Sequence, residues 1–290
     1  MNNYIVLSDR GLGDRLGAQL SWYICQIIYA HYNSYFIEFD DLLYSNSIFI
    51  LAIKKYLAEY NKNKIKENKI EIIDSDLWCR LNSKTVINIK SDLLNYFRNN
   101  MYQIRSYLDE YALSRNYNIT FNPKETILIH LRLDDVDFIN RIDYDGQHSL
   151  NYYANKINTN NLDYSDENQY YYNCNITKDH NLYNAQAPIG DDKIIYIVNN
   201  ILKRKPNYRI QIITSPIGNV TLPYPIIRSS DPSLDLFYLC NCETVILSRS
   251  TFALSTLYFA RAKEIWIPKW GYVSSMGLET DYNKSNYNYF

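Results

Sequence analysis

The sequence predicts an α/β fold with mostly parallel sheets, divided into two units. Three observations carry this expectation. Short apolar runs of strand type alternate with stretches of helical periodicity, the pattern of βαβ crossovers. Two such series are separated by a segment, Asn116 to Pro123, that ends a long helical pattern. The length of 290 residues exceeds the usual size of one domain. Hydrophobic residues make up 47% and charged residues 21%, a globular balance that excludes wholesale disorder, collagen and coiled coil.

The first series opens with the apolar run Tyr4 to Leu7, then Gly11, Gly13 and Gly17, then Leu16, Leu20, Ile24 and Ile27 at helical spacing. Only eight glycines occur in the chain, and three of them fall in this turn, where positive φ or close backbone approach is wanted. Tyr35 to Phe39 alternates like a strand, and residues 48 to 60 fit a helix. Between Ser91 and Leu113, Leu94, Phe97, Met101, Ile104, Leu108 and Tyr111 share one helical face. The domain boundary is placed at residue 123.

The second series begins at Thr126 to Leu131, a continuous apolar run of the kind seen in strands buried on both faces. Residues 140 to 188, rich in Asn, Tyr and Asp, are too long for an ordinary connection and read either as a functional lid, an acceptor-side loop being the favoured form, or as a disordered insertion. A helix at 191 to 204, a strand at Ile210 to Thr214 and a helix at 232 to 241, with Pro232 near its first turn, follow. A strand at Val245 to Ser248, a helix from Thr251 to Arg261 and a strand at Ile265 to Ile267 complete the series.

Thirty Lys and Arg against 31 Asp and Glu give a net charge of -1, so the chain lacks the global basic field of a nucleic-acid binder. No run approaches the roughly 20 apolar residues of a membrane span, and the start MNNYIVLSDRG lacks a signal peptide's regions. A soluble, cytoplasmic protein is expected. Cys25, Cys79, Cys174, Cys240 and Cys242 have no zinc-type spacing and read as reduced, mostly buried thiols. The sequons at Asn118, Asn175 and Asn219 matter only in a secretory lumen.

Three motifs can carry chemistry. Gly11-Leu-Gly13-Asp14-Arg15-Leu-Gly17 joins a strand to a helix, where backbone N–H groups can face an anion. It departs from GxGxxG because position 16 is Leu, and a turn with no ligand is the alternative. His130-Leu-Arg132-Leu-Asp134-Asp135 lies at the carboxyl end of a buried strand, where ligands bind in open α/β sheets. His130 and Arg132 share one strand face, and a guanidinium grips phosphate through paired hydrogen bonds. The alternatives are a core histidine and an ion pair of Arg132 with Asp135. Leu247-Ser248-Arg249-Ser250-Thr251-Phe252 runs from a strand end into a helix N-terminus, either a phosphate cradle or a plain Ser/Thr cap.

In this order the three motifs resemble those of the fucosyltransferase superfamily that includes the α1,2-, α1,6- and protein O-fucosyltransferases, with Asp235 to Pro268 most similar to the α1,2 branch. The likeness covers about half the chain, in patches. It implies a GT-B-like architecture of two Rossmann-like domains facing a cleft. Residues 1–123 would form the acceptor side, and 124–290, with the 140–188 insertion, would bind the nucleotide sugar. The implied reaction is an inverting, metal-independent transfer of fucose from GDP-fucose to a glycan hydroxyl, with no cofactor. Arg132, Asp14 and Arg15 are then the catalytic candidates. Gly11, Gly13, His130, Asp135, Thr214, Ser215, Ser248, Ser250, Thr251 and Phe252 join Arg132 as donor-binding candidates.

The chain departs from that pattern at Leu133 and Asp134, where the family has a second arginine and a glycine. It departs again at Thr214-Ser215-Pro216, in place of a Ser-Asp-Asp-like stretch, and at Leu254, Ser255 and Thr256, in place of aromatic residues. Two alternatives follow: a catalytically degenerate GT-B module that binds a glycan or nucleotide without turnover, and a nucleotide-binding oxidoreductase using the glycine turn.

Overall fold

The computed structural model describes residues 3–9, 15–39, 42–70, 102–133, 189–268 and 286–290. Two compact units emerge, Met1–Asn118 with Leu257–Phe259, and Ile119–Thr256 with Ala260–Phe290. The division falls at 118/119 where the sequence suggested 123/124, and three residues of a late helix count with the first unit. The insertion at 140–188 lies outside the described residues.

In the first unit, β1 (Asn3–Leu7) is flanked by β2 (Phe36–Phe39) and β3 (Asn68–Lys69), both parallel to it, in the order β2-β1-β3. Helix α1 (Leu16–Tyr32) follows β1, and Leu16, Leu20, Ile24 and Ile27 are all buried, as their spacing requires. Helix α2 (Ile48–Asn61) starts at an N-cap, Ser47, whose side chain accepts from Phe49 N. Helix α3 (102–114) buries Ile104, Leu108 and Ala112. Strand β3 was missed because Asn68 and Lys69 are exposed and polar, so their pairing leaves no apolar pattern to read.

The second unit holds a six-stranded sheet. Its elements are β4 (Thr126–Leu131), α4 (Asp191–Arg204), β5 (Arg209–Thr214), β6 (Ile226–Arg228), α5 (Pro232–Asn241), β7 (Thr244–Ile246), α6 (Thr251–Phe259), β8 (Glu264–Ile267) and β9 (Tyr287–Tyr289). All strand pairings are parallel, in the order β6-β5-β4-β7-β8-β9. Numbered within the unit this is 3-2-1-4-5-6, the order of doubly wound nucleotide-binding sheets, with the chain reversing its direction of growth between β4 and β7. Helix α6 ends at Phe259, short of Arg261, and β7 ends at Ile246, short of Ser248. Strands β6 and β9 went unread because each is a three-residue, partly exposed segment.

Helix α4 presents Ile194, Ile197, Val198 and Ile201 to the odd-numbered side chains Ile127, Ile129 and Leu131 of β4, joined by Ile212 and Ile246. Every residue of β4 is buried, so the even-numbered Leu128 and His130 are enclosed on the other face. That alternation decides the site, because it turns His130 away from the aliphatic layer under α4. At the opposite, amino-terminal edge, buried Glu264 accepts from Arg204 Nη2 at 2.5 Å, Lys205 Nζ at 2.7 Å and Trp266 Nε1 at 3.0 Å, tying α4 to β8.

Cys240 and Cys242 are both buried, and burial pushes the Cys242 thiol up. Among the described residues no helix is long and apolar enough to cross a membrane.

Candidate functional site at the carboxyl edge of the second sheet

The chain leaves β4 and β7 side by side, the point of the sheet where two connections diverge and where open parallel sheets as a class receive ligands. His130 and Ser248 meet there. His130 Nδ1 and Ser248 Oγ are 2.6 Å apart, and both residues are buried. With the ring proton on Nε2, the Ser248 hydroxyl donates to Nδ1; with it on Nδ1, the ring donates to Oγ. Either way the ring is oriented, and Phe252 covers it at a centroid separation of 5.3 Å with the planes inclined by 36°. A strand-end motif and a helix-start motif 118 positions apart thus become one wall.

Arg132, half-buried, emerges two residues beyond His130. Ser250 is the N-cap of α6, and its side chain accepts from Phe252 N at 3.2 Å. The cap reading of this segment is therefore realised, and it coexists with the His130 contact made two residues earlier by Ser248. Half-buried Thr251 takes the first helical position, where backbone N–H groups lack intrahelical partners and carry the positive end of the helix dipole.

Thr214 and Ser215 are spent differently. Thr214 Oγ1, 1% exposed, donates to Leu131 O at 2.8 Å, locking the exits of β5 and β4 together. Ser215 Oγ donates to Ile217 O at 2.8 Å. Beyond them the turn is knotted by Arg228, which donates from Nη1 to Ser215 O and from Nη2 to Gly218 O, both at 2.8 Å. Gly218 has φ +116°, and a Cβ there would stand 2.6 Å from Leu133 Cβ. These contacts brace the segment carrying Arg132, so Thr214 acts on it through the backbone at Leu131.

The sequence reading passed over Asp235. Its carboxyl sits in the first turn of α5, 8% exposed, and Oδ1 accepts no hydrogen bond among the described residues. Burial pushes it up to about 7, with the Asp231 charge adding and a hydrogen bond from Ser229 opposing. Its disguise was the cap: Asp231-Pro232-Ser-Leu-Asp235 spells a helix start, and Asp231 does accept from Ser233 N at 2.8 Å. The signal available was Asp235 flanked by Leu234 and Leu236 in a run that must be buried.

In the first unit, the strand exit before the glycine turn is held firmly. The Gln26 amide, fully buried, accepts from Ser8 N at 3.2 Å and donates to Ser8 O at 3.0 Å. Asp9 accepts from the Tyr23 hydroxyl and, at 3.0 Å, from Leu43 N. Burial, with the Asp9 hydrogen bond and charge, drives the Tyr23 phenol upward, so it stays a donor. Arg15 is the exposed N-cap residue of α1, and its carbonyl accepts from Gln19 N at 3.1 Å. Gly11, Gly13, Asp14 and Asp135 lie outside the described residues.

No protein-family model matches the chain, and neither does any curated protein or solved structure.

Proposed function

We propose that this protein is an inverting, metal-independent glycosyltransferase that moves a sugar, fucose from GDP-fucose by the motif resemblance, onto a glycan hydroxyl. The supporting observation is the His130–Ser248 contact at the divergence of β4 and β7. It assembles the second and third motifs into one wall where an open sheet receives a nucleotide. The GT-B architecture belongs to the same proposal.

In the transfer, the acceptor oxygen bonds to the anomeric carbon while the bond from that carbon to the β-phosphate oxygen breaks, and the electron pair leaves with GDP. The largest protein contribution is stabilising that departing charge. Arg132 supplies a forked cation, and the Ser250–Thr251 helix start supplies aligned amides. The acceptor proton passes to a carboxylate of the first unit, for which Asp14 is the candidate. Ionised Asp235 accepts the adjacent N–H donors of a guanine edge, which a uracil or thymine edge cannot provide as a pair.

The test is thermal stability against GDP, UDP, ADP, dTDP and NAD, all with EDTA, followed by hydrolysis of GDP-fucose. Ligand at about 100 times its dissociation constant stabilises by roughly 2.7 kcal/mol. A GDP-selective shift with sugar release supports the proposal. A GDP shift without turnover assigns a binding module instead, and no shift with any nucleotide refutes both.

A further inference from the structure

Resting on the transferase reading above, we infer that Asp9 is the first-unit carboxylate that takes the acceptor proton, with Tyr23 as its positioning residue. Strand β1 is the central strand of its sheet, with β2 on one side and β3 on the other, so the growth of the chain diverges from it. Doubly wound sheets that begin in the order 2-1-3 receive ligands beyond the carboxyl ends of their strands, at that divergence. Asp9 lies there, just past Leu7, the last residue of β1.

Its carboxylate is held on a fixed frame. The preceding residue, Ser8, has both its backbone N–H and its carbonyl engaged by the Gln26 amide of α1, at 3.2 and 3.0 Å. Oδ1 of Asp9 accepts from the Tyr23 hydroxyl and Oδ2 from Leu43 N at 3.0 Å, so the direction of the group is set at both oxygens. Tyr23 is 1% exposed, and burial keeps its phenol a donor. Asp9 is only half-buried. A carboxylate offers about four lone-pair positions, and these two donors take one on each oxygen. A set direction with capacity for one more proton donor is what a general base requires. In the transfer, the proton of the acceptor O–H passes to Asp9 as that oxygen bonds to the anomeric carbon, and the bond from that carbon to the β-phosphate oxygen breaks with its electron pair on GDP. A purely structural Asp9 would serve only Tyr23 and Leu43, a task that the side-chain oxygen and amide of Asn also meet.

The experiment follows GDP release from GDP-fucose by the full chain with two acceptors: water, which must lose a proton, and azide, which need not. In Asp9→Asn hydrolysis should fall about 100-fold or more. Azide should restore GDP release in that variant, and GDP affinity by calorimetry should stay within about 3-fold of wild type. Tyr23→Phe keeps the carboxylate but removes one orienting hydrogen bond, so hydrolysis should fall roughly 2- to 10-fold with the azide reaction unchanged. It decides the matter where Asp9→Asn does not fold, and an unchanged rate of hydrolysis in it overturns the inference. Hydrolysis by Asp9→Asn within about 3-fold of wild type, or azide rescue in Asp14→Asn instead, also overturns it and leaves the transferase reading intact. Equal loss of hydrolysis and of the azide reaction in folded Asp9→Asn makes Asp9 structural and does the same. A wild type that releases GDP with neither acceptor overturns the transferase reading and the inference with it.

Discussion

Gly218→Ala tests whether the brace beneath Arg132 is as tight as its geometry implies. The substitution adds one methyl group at φ +116°, where side chains are disfavoured, and aims it 2.6 Å from Leu133 Cβ. Backbone strain of this kind costs about 1–3 kcal/mol, and overpacking a filled site costs about 1–3 kcal/mol more. The turn cannot swing away cheaply, because Arg228 holds the carbonyls of Ser215 and Gly218. Leu133 cannot retreat either, being 8% exposed within the aliphatic layer under α4. A loss of roughly 3 kcal/mol would lower the melting temperature by about 6–12 °C in a unit of this size. Leu133 directly follows Arg132, so nucleotide affinity should fall as well. Calorimetry and GDP titration of the folded variant measure the two effects. A melting temperature within about 1 °C of wild type would refute the reasoning, since it would mean the turn and Leu133 are not in hard contact.

Three further outcomes follow from the charges. For Glu264, burial raises the carboxyl, but hydrogen bonds from Lys205, Arg204 and Trp266 outweigh it and hold it below its ordinary value. Its stabilisation is therefore present above the unfolded value near 4.3 and is lost as pH falls through the folded one. Glu264→Gln should cost about 1–3 kcal/mol at pH 7, discounted because Arg204 is half exposed, and should flatten the acid limb of stability measured by urea titration. His31 is held down to about 3 by burial and then by Lys64, with its ring 3.8 Å from that of Tyr60, so it folds neutral. Stability should fall with pH below about 6.5, and His31→Phe should remove that slope; an unchanged slope would contradict the assignment. Asp235 has the opposite sign, because its folded value, up to about 7, lies above the unfolded one. Stability is full below about 3.9 and declines as pH rises through 7. Asp235→Asn should abolish this decline and also the rise in GDP affinity with pH that an ionised carboxylate at guanine requires.

Legibility in the sequence tracked local pattern. Continuous burial of Thr126–Leu131 and the spacing of Leu16, Leu20, Ile24 and Ile27 were readable because one period governs each. Strands β3, β6 and β9 were not readable, because two or three residues define no period and their pairing is settled by neighbours distant in the chain. Site residues divided similarly. His130, Ser248, Ser250 and Phe252 lie where motif position placed them, at a strand end and a helix start. Thr214 also lies at a strand end, yet its hydroxyl serves Leu131 O, an outcome no one-dimensional pattern distinguishes from ligand binding.

Asp235 shows why the remainder stayed hidden. It sits in a segment that satisfies the grammar of a helix start, so local rules explain it completely and leave no residual signal. What separates it from an ordinary first-turn residue is burial at 8%, which follows only once strand order brings α5 back over the sheet. The order 3-2-1-4-5-6 thus does more than classify the sheet. It brings His130 and Arg132, at the exit of β4, beside Ser248, at the exit of β7, two positions 118 residues apart that no local pattern connects.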